Sequence, residues 1–122
     1  MKFLWTTIYV THLDESIAFY TELVGLKLLR RFAAGPGMEL AFLGNGVEGE
    51  TTVELLADSS QSAVQHGDFV SLGFAVESLD AMLETVKSKN IPVHSGPIET
   101  PASKFFTVKD PNGLSVQFFQ AK

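Results

Sequence analysis

One carboxylate, Glu54, stands out among the residues of this sequence that are able to do chemistry. It lies between Val53 and Leu55 in an apolar stretch, where an unpaired glutamate is uncommon. A glutamate held in such surroundings is suited to take a proton from a bound molecule, so we expect Glu54 to be the general base of any reaction here. The alternative is a surface glutamate on an edge strand, and the apolar neighbours on both sides favour a pocket.

Four predicted strands alternate between an apolar face and a mixed face of polar and aromatic residues. Successive side chains of a strand point to opposite faces, so the apolar faces should pack on helices and leave the mixed faces open. A concave surface with a few polar groups on an apolar lining is the usual form of a small-molecule site. Besides Glu54, the predicted ligand-binding residues on the mixed faces are Trp5, Thr7, Tyr9, Ser71, Gln117 and Phe119.

The strands and helices that would position these residues occur in the same order in both halves of the chain. In the first half, strands are predicted over 4–10, 26–32, 39–43 and 51–56, with a helix that Thr11 is expected to cap and Gly25 to end. The second half predicts strands over 69–76, 104–108 and 114–119 and a helix through 79–86. The segment 91–93 leads into one more strand, and Asp110 to Gly113 form a turn.

A repeat accounts for this order. Val10–Asp14 is matched by Val76–Asp80, and Val53–Leu56 by Val116–Phe119. We therefore predict an α+β fold with two tandem βαβββ units, about 1–57 and 67–122, within a single domain of residues 1–122. The two units should be related by pseudo-twofold symmetry and form a curved mixed sheet around a cleft.

Composition excludes several classes of function. The chain has no cysteine, which rules out disulfides and thiolate metal sites, and no segment approaches the ~20 apolar residues of a membrane span. Its net charge of −5 makes nucleic acid a poor partner. His12, His66 and His94 lack metal-ligand spacing. We expect a cytoplasmic protein without a membrane or nucleic-acid partner.

Two other groups of residues have alternative roles. The pairs Phe105-Phe106 and Phe118-Phe119 are expected in the core and the cleft lining. Arg30 and Arg31 are expected at a solvated strand end, where either could also meet an anionic ligand at the rim of the cleft.

Several motifs resemble the vicinal-oxygen-chelate superfamily, which includes glyoxalases, bleomycin-resistance proteins and extradiol dioxygenases. They occur in family order across the chain, and the nearest likeness is to bacterial glyoxalase I (lactoylglutathione lyase). The motifs are Leu13–Tyr20, Leu23–Lys27, Thr52–Leu55 and Asp110–Gly113. The resemblance implies a glyoxalase-like fold and a homodimer.

The resemblance also implies a metal site that this sequence has largely lost. Glyoxalase I binds a divalent metal through His, Glu, His and Glu, and the matching positions here hold Trp5, Glu54, Ser71 and Gln117. One carboxylate with weak neutral oxygens does not bind a transition metal tightly, so we expect no metal and no cofactor. Trp5 either fills the space of the metal or stacks on a ligand. Tyr9 replaces an arginine that pairs with glutathione in that family.

Three functions remain open from the sequence. The first is a glyoxalase-fold protein that binds, and in the catalytic case transforms, a small organic molecule without the standard metal. The second is a non-catalytic binder of the bleomycin-resistance type that sequesters a drug. The third is a metal-dependent lactoylglutathione lyase, which requires a different alignment of the strands.

Overall fold

The computed structural model describes all 122 residues. The chain forms two compact units, Met1–Val64 and Gln65–Lys122. Each unit contains one four-stranded mixed sheet and one helical segment. The predicted α+β class with two βαβββ units is therefore confirmed.

In the first unit, the two strands most distant in sequence are neighbours in the sheet. The sheet order is β1-β4-β3-β2, with β1 parallel to β4 and the other neighbours antiparallel. The elements are β1 (Trp5–Tyr9), α1 (Leu13–Ala18) continued by a π-helical turn (Phe19–Leu23), β2 (Lys27–Gly35), β3 (Met38–Gly44) and β4 (Thr52–Asp58).

The second unit repeats this arrangement. Its sheet order is β5-β8-β7-β6, and β5 is parallel to β8. Its elements are β5 (Ser71–Ala75), α2 (Leu79–Ser88), β6 (Ser95–Glu99), β7 (Ser103–Lys109) and β8 (Ser115–Ala121). No helix of the protein has the length and apolar character needed to span a bilayer.

The apolar strand faces form the cores, as the alternation predicts. In the first unit, Ile8, Val10 and Leu55 are buried together with Tyr20 and Leu23 of the helical segment. In the second unit the buried residues include Val116, Phe118 and Phe106 of the sheet and Leu79 and Val86 of α2. Val53, Leu72 and Phe74 lie on the same faces but are only partly buried. Burial of one face leaves the other face of each sheet for the mixed residues.

The helix ends differ in part from the sequence prediction. Helix α1 begins after His12, which makes no side-chain cap, so the assignment of Thr11 as the cap is wrong. The Thr11 hydroxyl instead accepts a hydrogen bond from the backbone N–H of Val64, 2.8 Å away, and so ties the end of the unit to its start. Gly25 follows the helical segment with φ of 87°, a conformation that glycine adopts without strain, as expected for a helix end.

Candidate functional site

A row of four side chains crosses the first sheet on the face opposite α1. The register pairs Thr7 with Glu54, Glu54 with Phe42 and Phe42 with Arg30. Directly paired residues point to the same side of a sheet, so strands β1, β4, β3 and β2 each contribute one side chain to this row. We call this surface the open face of the first sheet. Its central residues are Trp5, Thr7, Tyr9, Arg30, Phe32, Leu40, Phe42, Thr52, Glu54 and Leu56.

Glu54 is the carboxylate at the centre of this open face, whereas Asp58 lies on the same face at the end of β4. Its residue is 9% exposed, and its Oε1 accepts a hydrogen bond from the Thr7 hydroxyl at 2.6 Å. The chain has four ion pairs, and none of them includes Glu54. Every buried side-chain oxygen or nitrogen has a hydrogen-bond partner. The Oε2 atom of Glu54 has no partner within the protein, so it is not buried and remains accessible from the open face. A bound molecule can therefore reach one carboxylate oxygen while Thr7 holds the other.

Aromatic rings cover the part of the open face next to Glu54. The rings of Trp5 and Phe42 meet edge to face at 5.4 Å, and Phe32 stacks on Phe42 at 6.4 Å. The Arg30 guanidinium carbon lies 4.7 Å from the centre of the Phe42 ring and 5.4 Å from that of Phe32. Trp5 and Tyr9 remain 45% and 44% exposed. This exposure leaves aromatic surface for stacking on a ligand.

A cavity of about 330 Å³ opens on this face, lined by Trp5, Leu29, Arg30, Phe42 and Thr52. A β-bulge between Leu28 and Arg30 interrupts the alternation of β2, which explains why Leu29 and Arg30, adjacent in sequence, both line it. Two of these lining side chains pack closely against Gly44, since a Cβ there would lie 3.2 Å from Thr52 Cγ2 and 3.3 Å from Leu29 Cδ1. The volume suits a small organic molecule.

The corresponding face of the second sheet is richer in hydroxyl and amide groups. The register pairs Ser71 with Ser115, Gly73 with Gln117 and Ala75 with Phe119. Gln117 is partly buried and also pairs with Thr107, whose hydroxyl shares a 2.6 Å hydrogen bond with that of Ser95. This face offers donors and acceptors but no carboxylate in its central row.

The seven residues predicted from the sequence thus fall into two sets. Trp5, Thr7, Tyr9 and Glu54 lie together on the open face of the first sheet. Ser71, Gln117 and Phe119 lie together on one face of the second sheet. Each set belongs to one unit.

Sequence reasoning missed Phe42 and Leu29 as parts of the site, and it expected Arg30 at a solvated strand end or in contact with an anionic ligand at the rim of the cleft. Strand β3 is apolar on both faces around Phe42, so alternation gives no sign of which face is open. In β2 the bulge conceals the true orientation of Leu29 and Arg30. The only sequence signal was an arginine within a predominantly apolar strand, next to Arg31.

The residues present do not fit a transition-metal site. No group of three or more His, Cys, Asp or Glu side chains is placed to hold a metal ion. At the four family positions, Trp5 has no lone pair to donate, Ser71 and Gln117 are neutral, and the Oε1 of Glu54 is already engaged by Thr7. The site must therefore be explained by its aromatic, carboxylate and guanidinium groups.

A larger cavity, of about 510 Å³, lies at the end of the first sheet that contains Arg31. Arg31 lies on the helix side of β2, and its guanidinium donates to Asp14 at 2.6 Å and to Glu39 at 2.7 Å. The hydrogen bond from Arg31 lowers the pKa of Glu39 below its ordinary value of 4.5. Since the charged groups in this contact satisfy one another, we read it as a link between α1 and the sheet.

Comparison with known proteins adds a family context to this geometry. Residues 2–118 match the model of the Glyoxalase/Bleomycin resistance protein/Dioxygenase superfamily. The chain is 32% identical to a lactoylglutathione lyase of Neisseria meningitidis over 127 residues, covering 100% of this chain and 92% of that protein. It is 30% identical to the lactoylglutathione lyase of Haemophilus influenzae over 128 residues, covering 100% of this chain and 94% of that protein.

The chain is also similar to a solved structure of a glyoxalase I. The trypanothione-dependent glyoxalase I of Leishmania major superposes with a TM-score of 0.84 at 28% identity, covering 98% of this chain and 86% of that chain.

Proposed function

The chain belongs to the glyoxalase/bleomycin resistance/dioxygenase superfamily, and from this premise we propose that it binds a small organic molecule on the open face of its first sheet without the metal typical of the family. One observation carries the proposal. A cavity of about 330 Å³ lined by Trp5 and Phe42 lies on the same face as Glu54, a carboxylate with no ion pair. Apolar walls with few polar groups are the usual composition of small-molecule sites.

Proton transfer by Glu54 is the catalytic form of this proposal. The relatives are lactoylglutathione lyases, and the carboxylate has one oxygen held by Thr7 and one oxygen open to a ligand. Such a carboxylate can take a proton from a carbon or oxygen of the bound molecule, and the phenol of Tyr9 on the same sheet would be suited to stabilise negative charge. Neither proposal requires a metal.

A non-catalytic binder uses the same face and differs only in the fate of the ligand. A metal-dependent lactoylglutathione lyase, the third alternative, is disfavoured because Trp5, Ser71 and Gln117 are poor metal ligands. For the second sheet, we propose Ser71, Gln117 and Phe119 as ligand contacts, since hydroxyl, amide and aromatic groups on one face suit a polar organic molecule. We also propose a cytoplasmic homodimer, on family likeness.

Binding can be measured directly because Trp5 is the only tryptophan of the chain and lines the cavity. We expect small aromatic compounds to change its fluorescence saturably. Thr52→Phe, which places a ring in the cavity, should abolish the change. Thr51→Phe, one position away and outside the cavity lining, is the matched control and should bind as the wild type does. Equal binding by both variants would contradict the proposal.

Glu54→Gln tests the proton transfer. The amide keeps the size and the contact with Thr7 but has no basic oxygen. Turnover of a substrate found by screening should fall by about 100-fold or more, with little change in its affinity. Unchanged turnover would leave binding as the function of this face.

A further inference from the structure

We propose that the ligand of the open face is an aromatic carboxylate, whose ring enters the cavity beside Trp5 and Phe42 while Arg30 binds its carboxylate. The inference rests on the proposed binding function and specifies its ligand class. It makes Arg30 the residue that selects the charge of the ligand. Four features of the structure support it.

The first feature is that Arg30 is available. It forms none of the four ion pairs and no hydrogen bond with another residue. Its neighbour Arg31, by contrast, is paired with both Asp14 and Glu39 on the other side of the strand. The adjacent arginines therefore have different roles: one links elements, and the other presents an unused guanidinium to the open face.

The second feature is that Arg30 is held in place by its stacking. The guanidinium lies over the rings of Phe42 and Phe32, at 4.7 and 5.4 Å from their centres. Stacking engages a flat face of the group and leaves its N–H edge free. That edge can donate two parallel hydrogen bonds to a carboxylate, and the supporting rings reduce the side-chain entropy lost on binding.

The third feature is the charge of the cavity. Of its five lining residues, Trp5, Leu29 and Phe42 are apolar or aromatic, and Thr52 is neutral. Arg30 is the only charged one. An aromatic ring in this cavity would bury apolar surface against Trp5 and Phe42, and an anionic substituent on it would have a cation within reach.

The fourth feature concerns the kind of anion. Glu54 lies in the same cross-strand row as Arg30, with Phe42 between them. Two strand spacings of about 4.8 Å separate their backbones. A singly charged carboxylate bound at the outer strand β2 keeps clear of Glu54, whereas a doubly charged phosphate would be repelled more strongly. This favours a carboxylate as the anionic group.

Three probes of similar shape and different charge test the inference. They are 3-phenylpropanoate, neutral 3-phenylpropanamide and cationic 3-phenylpropylammonium, each titrated into the intact protein by Trp5 fluorescence and calorimetry. We expect the carboxylate to bind roughly 10-fold or more tightly than the amide, the size of effect of a charge-assisted hydrogen bond. The ammonium compound should bind most weakly.

The variants assign this preference to one residue. Arg30→Gln should lose the preference for the carboxylate over the amide, measured as the ratio of the two affinities within that variant. Arg30→Lys should retain part of it, because lysine keeps the charge but not the planar fork. Arg31→Gln, with the same loss of charge one position away, should keep the full preference. Thermal unfolding of each variant verifies that it is folded.

The outcomes separate this inference from the proposed function. Equal affinity of the wild type for the carboxylate and the amide would overturn the inference and leave the binding function standing. A preference that persists in Arg30→Gln would overturn it too. If none of the three probes binds, the proposed function fails for this cavity, and the inference fails with it.

Discussion

The contact between Thr7 and Glu54 is the polar centre of the first sheet. Parallel strands β1 and β4 place the two residues opposite each other, and the hydroxyl donates to the carboxylate at 2.6 Å. A hydrogen bond to a charged group contributes more than one between neutral groups. The contact therefore fixes the orientation of Glu54 toward the open face.

A double-mutant cycle measures this contact. Thr7→Val removes the donor but keeps the shape, and we expect it to destabilise the wild type by about 1–2 kcal/mol. In a Glu54→Gln background the same change should cost about 1 kcal/mol less, because the charged acceptor is gone. Urea unfolding of the four proteins gives the coupling. Additive effects would mean that the two side chains do not interact.

Glu54→Gln alone should raise the melting temperature. A largely buried carboxylate without a counter-ion is unfavourable, so its neutral isostere should gain about 1 kcal/mol, equivalent to several degrees in a chain of this size. Glu39→Gln is a control of the same chemistry at an ion-paired site, and it should lower the melting temperature. A Glu54→Gln protein that melts earlier than the wild type would show that the charge stabilises the fold.

Part of the site could be predicted from residue type alone. Glu54 is recognisable because a carboxylate between Val53 and Leu55 is unusual, and Trp5, Thr7 and Tyr9 follow by alternation within one strand. Phe42 and Arg30 join the site through the register of β3 and β2, which is a long-range property. No local pattern encodes which strands become neighbours.

Among the secondary-structure elements, the bulge in β2 has the largest consequence for the site. Regular alternation from Leu28 would place Leu29 and Arg30 on opposite faces, and the bulge brings both to the cavity. Most strands lie close to their predicted positions because their apolar faces repeat every second residue. The bulge and the π-helical turn at Phe19–Leu23 were not predicted, because tertiary packing decides such local departures.

The end of the helical segment depends on Gly25. Its φ of 87° is strained for residues with a Cβ, although a Cβ would meet no atom within 4 Å. Gly25→Ala should therefore cost about 1–2 kcal/mol through backbone strain alone. Gly67→Ala, where φ is not positive and space is also free, should be nearly neutral in the same thermal unfolding assay. Equal effects at the two positions would contradict the role of Gly25.

The link between α1 and the sheet predicts a dependence on pH. Because Arg31 lowers the pKa of Glu39 in the folded state, this contact stabilises the fold above pH 4.5 and loses its contribution as pH falls through the lowered pKa. The melting temperature of Arg31→Gln should be slightly below that of the wild type at neutral pH. The difference should shrink as the pH falls below 4.5 and through the lowered pKa of Glu39. A constant difference across this range would show that Arg31 acts through packing.

At the scale of the whole molecule, the chain has the fold of its family. The same order of strands occurs in both units, and the turn at Asp110–Gly113 has the predicted form, with the Asp110 carboxylate accepting from the backbone N–H groups of Asn112 and Leu114. Hydrophobic pattern and turn chemistry are sufficient to specify this fold. They do not determine the side chains on the mixed faces of the sheets, among them Trp5 and Gln117.

The proposed metal-free site predicts the metal content of the protein. Elemental analysis of the purified chain should find no stoichiometric nickel, zinc or iron, since no cluster of three ligand side chains is present. Trp5→His, which restores one ligand type of the family on the same sheet face as Glu54, is an informative counterpart and should increase metal uptake. About one metal ion per wild-type chain, retained after mild chelation, would revive the lyase alternative.

The most direct test of the account is the response of Trp5 to a ligand in the absence of metal. The chain has one tryptophan, so its indole N–H gives one resonance in a proton–nitrogen correlation spectrum. In chelator-treated protein we predict a saturable shift of this resonance on titration with 3-phenylpropanoate, unchanged when nickel or zinc is added. A resonance that does not move without metal, and moves once metal is supplied, would contradict a metal-free binding site on the open face of the first sheet.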